Sequence, residues 1–306
     1  MINEQLLSKN GTATMKLSRE LLKYSIGDRI PTITEFSEQI NLARGTIQNA
    51  LKNLINSGAI GIESKGHMGS YLVKKNNKIL LEFAGISYVV GAMPLPYSKR
   101  YEGLASGIII SAENQNKAPV SLAYMRGAKS RMEMVENGRY DFAITSRFAA
   151  EHYISTNNSL QIIMSFGEES YVGKHVLLLH NDNHNGIHNG MKVGIDNDSI
   201  DHIELVRKVC EHKKVEYVPI EYSRTIELVK NGDIDATIMN VDEILDKRDS
   251  VHFVDIEGYE KENTEAVIVA SKGRDEIKII MDEIIDVDAV LNIQKLILDD
   301  KIIPRY

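Results

Sequence analysis

The sequence predicts an α/β protein made of two parts with different patterns. Residues 1–75 show three short helical patterns and then a β-hairpin pattern, whereas residues after about 83 alternate apolar strand-like runs with helical patterns. The charge also changes between them: residues 1–75 carry ten Lys and Arg against six Asp and Glu, and the rest carry 26 against 37. A basic segment on an acidic body indicates different partners for the two parts, although so small an imbalance also arises by chance.

Length and composition limit the class of protein. The 306 residues, 43% of them hydrophobic, are enough for two or three domains with ordinary cores. The single cysteine, Cys210, excludes an internal disulfide framework and fits a reducing compartment. Because the N-terminal residues lack a signal-peptide apolar segment and no apolar run approaches the ~20 residues of a membrane span, we expect a cytoplasmic protein without a membrane partner.

The helical patterns of the first part are closely spaced. Residues 14–24 form the first, and Thr32 and Glu35 then give the S/T-x-x-E capping box of a second, short helix. The third follows after a tight turn, in "LARGTIQNALKNLINSG". Its apolar residues are spaced as one helical face: Ile47, Ala50, Leu51, Leu54 and Ile55. Two short helices joined by a few residues are typical of a helix-turn-helix.

A hairpin pattern completes this first part. The strand-like runs 59–63 and 70–73 flank a Gly-rich turn at 65–69. Three helices followed by a hairpin form a winged helix. The polar face of the third helix carries no acidic residue, which favours a polyanionic partner. The alternative is a degenerate winged helix that serves only dimer contacts.

The second part divides into two lobes. We expect a linker at 76–82 and a domain at 83–306, with one lobe at about 83–180 and 263–306 and the other at about 186–262. The polar run "NDNHNGIHNG" (181–190) is interpreted as the crossover between them. The segments "VENGRYDFAITS" and "VKNGDIDATIMN" each join a helix end to a strand, and they place one such unit in each lobe.

Both parts resemble known families. "IGDRIPTITEFSEQINLARGTIQNALKNLINSGAIGIESKGHMGSYLV" resembles the GntR-type winged helix-turn-helix. The rest, including "MPLPYSKRYEGLASG", "YDFAITS", "YVGKHVLLL" and "DIDATIMNVDE", is similar to the C-terminal domain of YhfZ-like bacterial regulators, which is similar to type 2 periplasmic binding proteins. The resemblance implies a transcription regulator whose C-terminal domain senses a small molecule.

A winged helix-turn-helix places its second helix in the major groove of double-stranded DNA. Arg44 begins that helix and can bond guanine O6 and N7 together, Gly45 permits a close approach, and Gln48 can read adenine. We expect DNA contacts from Arg44, Gly45, Thr46, Gln48, Lys52, Lys65, Gly66 and His67. The GntR pattern usually has arginines where Thr34 and Gln48 stand, so its operator rules are not transferred.

Strand–helix junctions of the second part supply the candidate ligand contacts, since binding sites in such folds form where strands end. The predicted set is Ser98, Arg126, Thr145, Ser146, Asp196, Ser199, Asn240 and Asp242. Arg126, directly after an apolar strand, is the strongest candidate, and nearby cations predict an anionic effector such as a phosphate or carboxylate. Alternatively, Ser98 and Ser199 are N-caps, Asp242 favours a helix N-terminus, and Arg100 and Arg147 are surface residues.

No catalytic, cofactor or metal site is predicted. His180, His184 and His188 are spaced by four, but the surrounding Asn, Asp and Gly residues predict an exposed loop rather than a metal-binding helix. No G-x-S-x-G, H-E-x-x-H or C-x-x-C motif is present, and Cys210 lies in an amphipathic helical pattern.

Three functions remain open. The first is a homodimeric DNA-binding regulator that responds to a small effector. The second is an enzyme on a binding-protein-like fold with a vestigial DNA-binding domain. The third is a constitutive DNA-binding protein whose larger part only dimerises.

Overall fold

The computed structural model describes residues 8–115, 119–244, 251–259 and 263–306. Within them the chain forms two compact units. Unit 1 is built from the chain up to Val89 together with parts of 112–120 and with Arg274–Ile284, and unit 2 from the remainder. In the described part of the chain, no helix is both long and apolar enough to cross a membrane.

Unit 1 contains the three predicted helices, α1 (Lys9–Leu22), α2 (Ile33–Ile40) and α3 (Arg44–Asn56). The capping box of α2 is confirmed: Thr32 Oγ1 accepts from the Glu35 amide at 3.3 Å, and Glu35 Oε2 accepts from the Thr32 amide at 2.6 Å. Asn41 ends α2 in the left-handed conformation, φ 57°, which asparagine tolerates better than most residues. The turn to α3 therefore needs only three residues.

α3 buries a narrower face than the sequence predicts. Ile47, Ala50 and Leu54 are fully buried, and α3 packs against α1. Leu51 is half-buried, and Ile55 remains 42% exposed. The buried stripe thus follows the i, i+3, i+7 positions, and much of the helix surface is left to solvent.

The wing is the predicted hairpin with one additional strand. β2 (Ile60–Ser64) and β3 (Ser70–Lys75) pair antiparallel around a 3₁₀ turn at Gly66–Met68. β1 (Arg29–Ile30) pairs with the other edge of β3. A two-residue strand is too short to show alternation, so the sequence did not indicate it.

The segment predicted as a linker, 76–82, is instead mostly helical. α4 (Asn77–Phe83) is capped by Asn76, whose Oδ1 accepts from the Ile79 amide at 3.2 Å. Leu80 and Leu81 are buried, and α4 packs against α1. The polar run before α4 suggested a linker, because two leucines are too few to reveal a helical period.

A late part of the chain also belongs to unit 1. α10 (Asp275–Ile284) packs against α1, and Lys23 Nζ lies 3.1 Å from Asp275 Oδ2. Ile277, Ile280 and Met281 are buried on the apolar face of α10. Unit 1 is therefore larger than the predicted domain 1–75.

Unit 2 contains two five-stranded sheets, each the centre of a lobe. The first lobe has the strand order β5-β4-β6-β13-β7. Its strands are β4 (Val89–Met93), β5 (Val120–Tyr124), β6 (Phe142–Ser146), β7 (Leu160–Ser165) and β13 (Ala266–Ser271), and its helices are α5 (Lys99–Gln115), α6 (Ala128–Glu136), α7 (Arg147–Thr156) and α11 (Val287–Leu298). β4 and β6 run parallel, whereas β13 is antiparallel to both of its neighbours.

The second lobe has the strand order β10-β9-β11-β8-β12. Its elements are β8 (His175–Leu179), β9 (Lys192–Ile195), α8 (Ile200–Val209), β10 (Glu216–Pro219), α9 (Thr225–Asn231), β11 (Ala236–Asn240) and β12 (His252–Asp255). Alternate residues of β8 point to opposite faces. Leu177 and Leu179 join the cluster that includes α8, and Val176 and Leu178 join the cluster that includes α9.

The crossover between lobes differs from the predicted one. β7 belongs to the first sheet and β8 to the second, so the chain crosses between Ser165 and His175, and it returns between β12 and β13. The run 181–190 is a loop inside the second lobe, between β8 and β9. Its polarity reflects solvent exposure at the sheet end rather than a lobe boundary, so the predicted break near 180 lies one strand too late.

Candidate functional site

The N-terminal half of α3 presents a polar, solvent-facing surface. Arg44, Gln48 and Lys52 are exposed, and Thr46 is half-buried. Arg44 forms no hydrogen bond or ion pair with any residue that the structure describes. The N-cap Ala43 has no side-chain oxygen to accept from the first amides of the helix. The Thr46 and Ile47 amides donate to the Ala43 carbonyl oxygen at 2.9 and 3.1 Å. A helix N-terminus without a side-chain cap, beside an exposed guanidinium, is well suited to an anionic partner.

Gly45, in the first turn of α3, has no packing reason to lack a side chain. A Cβ at this position would meet no heavy atom of the chain within 4 Å, and its φ is not in the left-handed region. Glycine costs helix stability relative to alanine. The open space at Gly45 leaves room for the close approach that the sequence analysis predicts, and that approach stays a prediction.

The wing tip is also exposed. Lys65, Gly66 and His67 face solvent, and Lys65 Nζ lies 4.8 Å from the centroid of the Tyr71 ring. The ring contact directs the lysine along the hairpin. All eight predicted DNA contacts thus lie on the surface of unit 1, and their contact with DNA stays a prediction.

Unit 2 has a cleft between its two lobes, of about 890 Å³ including the part open to solvent. Its walls come from the segments after β4 and β5 in the first lobe, from those after β9 and β11 in the second, and from the crossing segments. This is where ligands bind in open α/β folds. Four of the predicted ligand contacts line it: Arg126, Asp196, Ser199 and Asn240.

An ion pair between Arg126 and Asp196 spans the cleft. Arg126 follows β5 in the first lobe, Asp196 follows β9 in the second, and Nη2 lies 3.0 Å from Oδ2. The Arg126 side chain is 34% exposed, whereas that of Asp196 is 5% exposed. Burial lowers the pKa of Arg126, but the hydrogen bond and charge of Asp196 outweigh it and raise the pKa above its usual value. The guanidinium therefore stays charged at the cleft.

Ser199 is an N-cap and also lies at the cleft, and its contact with a ligand stays a prediction. Its side chain accepts from the His202 amide at 3.3 Å as the N-cap of α8, and it also lines the cleft. Ser98 is buried outside the lining, where its hydroxyl accepts from the Tyr101 amide at 3.4 Å. Thr145 is fully buried in β6, also outside the lining.

The two remaining predicted residues form contacts between the lobes beside the cleft. Ser146 caps α7 and donates its hydroxyl to Asp201 Oδ1 of the second lobe at 2.7 Å. Asp242 pairs with Arg100 of the first lobe, with Oδ2 2.7 Å from Nε, and accepts from the Gly173 amide. Like Arg126–Asp196, both are direct side-chain contacts between the lobes.

Sequence reasoning did not include Arg131, whose buried guanidinium lines the cleft. It donates to the carbonyls of Ile144 at 3.1 Å and Met125 at 2.8 Å, and to the Tyr171 hydroxyl at 3.3 Å. A signal was present, because Arg131 shares the buried face of α6 with Met132, and an arginine on an apolar face needs partners. No spacing rule pointed to the tyrosines that line the cleft: Tyr97, Tyr101, Tyr171 and Tyr222.

The histidine-rich run lies in the predicted loop. The rings of His184 and His188 are 4.9 Å apart, and His180 Nδ1 lies 2.8 Å from the Val229 carbonyl oxygen. Among the described residues, no group of three or more His, Cys, Asp and Glu is arranged to hold a metal ion. Cys210 is buried, as its pattern predicts, and burial raises the pKa of its thiol to about 11.

Family models match both parts of the chain. The model described as the YhfZ C-terminal domain matches residues 76–306, and one described as a helix-turn-helix domain matches residues 25–72. The chain is 40% identical over 235 residues to the uncharacterized protein YhfZ of Escherichia coli (strain K12), covering 77% of this chain and 76% of that protein.

Solved structures agree with the fold. YhfZ from Shigella flexneri matches with a TM-score of 0.62 at 33% identity, over 75% of this chain and 98% of that one. The periplasmic VFT2 domain of Bordetella pertussis BvgS matches with a TM-score of 0.52 at 14% identity, over 72% and 96% of the chains. The methionine-binding protein MetQ matches with a TM-score of 0.51 at 10% identity, over 72% and 98%.

The last two likenesses show a fold shared with binding proteins and nothing further. A helix-turn-helix domain joined to a YhfZ C-terminal domain indicates a DNA-binding regulator. The match over three quarters of the sequence shows that this chain belongs to the YhfZ family.

Proposed function

We propose that this protein is a GntR-like, homodimeric transcription regulator that works in the cytoplasm, and that a small effector bound between its lobes changes its affinity for operator DNA. The observation that supports DNA binding best is the N-terminal half of α3. This surface is exposed and has no acidic residue, the helix lacks a side-chain cap, and Arg44 pairs with no residue in the described part of the chain. These features match what a groove-reading helix needs.

The contacts between the lobes support the sensing role. The lobes are joined by the side-chain pairs Arg126–Asp196, Arg100–Asp242 and Ser146–Asp201. A molecule that binds in the cleft must compete with or add to these pairs, and so it changes the balance between lobe arrangements. Some lobe arrangements favour DNA binding and others do not. The effector changes DNA affinity to the extent that it binds one kind of arrangement more tightly than the other.

The covalent structure offers a route for this coupling. α10 of unit 1 directly follows β13 of the first lobe, and α5 begins in unit 2 and ends in unit 1. A shift of these elements in the first lobe would be carried along the backbone into unit 1. The coupling therefore does not depend on a single flexible linker.

The test is binding of the full chain to DNA upstream of its own operon, measured against salt concentration, for the unchanged protein and for Arg44→Ala. We expect a specific site, a steep salt dependence and a loss of about 1–3 kcal/mol in the variant. Arg207→Ala is the matched control, because Arg207 is an exposed arginine on α8. Equal, weak binding by all three proteins would contradict the proposal and favour the enzyme alternative, for which turnover of a bound metabolite would be the readout.

A further inference from the structure

The charges that line the cleft are divided between the lobes. The second lobe contributes four carboxylates: Asp196, Asp198, Asp201 and Glu243. The first lobe contributes the guanidinium groups of Arg126 and Arg131. Burial lowers the pKa of His202, so this lining imidazole adds no positive charge at neutral pH. Carboxylates therefore outnumber cations in the cleft, and they lie on one side of it.

The two cations are not equally available to a ligand. Arg131 is 3% exposed, and its Nε, Nη1 and Nη2 atoms all donate to groups of the wall. Arg126 donates only to Asp196 among the described residues. A simple anion would thus find one arginine that is already paired, beside several carboxylates that repel it. The cleft does not have the composition of a site for a bare anion.

Asn240 provides a second, independent observation. It lines the cleft at the end of β11 and is 2% exposed. Its Oδ1 accepts from the Asp242 amide at 3.0 Å, which fixes the side chain, and its Nδ2 has no partner among the residues that the structure describes. A buried amide donor without an acceptor is rare because its desolvation is uncompensated. An oxygen of a bound ligand would supply that acceptor.

We propose that the effector carries an ammonium group, which binds the carboxylate side of the cleft at Asp196 and Asp198, together with an oxygen acceptor that meets Asn240. The inference rests on the proposed function, since it takes the cleft as the effector site. An ammonium donates three hydrogen bonds and matches a carboxylate-rich wall. It would replace the guanidinium of Arg126 as the partner of Asp196 and release Arg126 to face solvent or an anionic group of the same ligand.

The experiment is calorimetric titration of the full chain with four probes that share a five-carbon skeleton: pentylamine, 1,5-diaminopentane, 5-aminopentanoate and pentanoate. We expect the probes that bear an ammonium group to bind and pentanoate not to bind. Tighter binding of 5-aminopentanoate than of pentylamine and of the diamine supports the oxygen acceptor, and tighter binding of the diamine than of 5-aminopentanoate overturns that part of the inference. Binding of pentanoate without binding of the amines overturns the ammonium assignment, as does the absence of binding by every amine.

Variants locate the ammonium. Asp198→Asn removes a charge from an exposed carboxylate of the lining, so the fold is preserved, and we expect about tenfold weaker binding of the amine, the affinity equivalent of 1.4 kcal/mol. Asp196→Asn should weaken it at least as much. Asp288→Asn, an exposed carboxylate in the first turn of α11 outside the lining, is the control and should bind the amine unchanged. Equal affinity of all three variants overturns the assignment.

The two proposals fail separately. Loss of specific DNA binding with intact amine binding contradicts the regulator alone. Specific, Arg44-dependent DNA binding with no amine binding contradicts the ammonium effector alone.

Discussion

Gly45 is a residue whose identity the fold does not explain. It lies in the first turn of α3 at an ordinary helical φ, with open space where a Cβ would be. Glycine in a helix costs up to about 1 kcal/mol relative to alanine, less near a helix end. The chain therefore accepts a small loss of stability at the point where the reading helix would meet DNA.

Gly45→Ala should raise the free energy of unfolding by up to about 1 kcal/mol and weaken DNA binding, because the methyl group occupies the space that a phosphate or base would need. Urea unfolding and DNA titration measure the two effects. Gly186→Ala, at another open glycine in the second lobe, should leave DNA binding unchanged. DNA affinity unaffected by Gly45→Ala would mean that no close approach occurs there.

Asp201 makes the folding stability of the protein depend on pH. Burial raises its pKa to about 6, and this is only partly offset by the Ser146 hydrogen bond and the charge of Arg131. An unfolded aspartate titrates near 3.9, so between about pH 6 and pH 4 the folded state binds more protons than the unfolded state. Folding stability from this group therefore rises as the pH falls through that window and is lowest above it.

Asp201→Asn should remove this dependence and stabilise the protein at neutral pH by up to about 3 kcal/mol, because the amide oxygen still accepts from Ser146 and no charge is desolvated. Denaturant unfolding at several pH values measures it. The gain over the unchanged protein should shrink as the pH falls from 7 toward 4. A constant difference over that range, or none, would show that Asp201 titrates as an ordinary surface carboxylate.

At the scale of elements, α4 extends unit 1 beyond the wing. Leu80 is fully buried, and Arg19 of α1 donates its Nε–H to the Ala84 carbonyl oxygen at 3.1 Å, immediately after α4. Lys75 Nζ also donates to the carbonyls of Leu22 and Tyr24 at the C-terminal end of α1. These contacts attach the segment after the wing to the helices before it.

Leu80→Ala should cost about 2–5 kcal/mol of stability, as a cavity-forming substitution in a core does. Lys78→Ala, at an exposed position of the same helix, is the control and should change stability by no more than about 0.5 kcal/mol. Thermal or denaturant unfolding of the full chain gives both values. If the two variants unfold alike, 76–82 behaves as the linker that the sequence predicts.

Elements with a local sequence pattern could be predicted, whereas those that depend on distant strand pairing could not. The capping box, the helical period of α3 and the wing turn are local patterns, and each of these elements appears where its pattern predicts, although the buried face of α3 is narrower. The membership of β8 in the second sheet is not local, because it depends on pairing with β11 and β12 far along the chain. Arg126 and Asp196 could be identified because each directly follows a strand. Tyr222 could not, because it reaches the cleft from a 3₁₀ turn that has no such local pattern.

At the scale of the whole molecule, the regulator is proposed to be a homodimer on a two-fold DNA site. Sedimentation should then give twice the 34.3 kDa mass of the chain. An operator with both half-sites should bind more tightly than one with a single half-site, and inserting about half a helical turn, roughly 5 bp, between the half-sites should remove that advantage. A monomer in solution that binds both operators equally would contradict the two-fold arrangement.

The Arg126–Asp196 pair sets the sensitivity of such a sensor. If the Arg126 guanidinium already occupies Asp196, the effector must displace it in order to bind. The apparent dissociation constant of the effector is then larger than its intrinsic dissociation constant, by a factor set by the strength of the ion pair. The protein would then ignore trace amounts of its effector and respond to surplus. In the proposed sensor Arg126 would therefore set the response threshold as well as contact the effector, and a weaker bond to Asp196 would let the same cleft respond to lower effector concentrations.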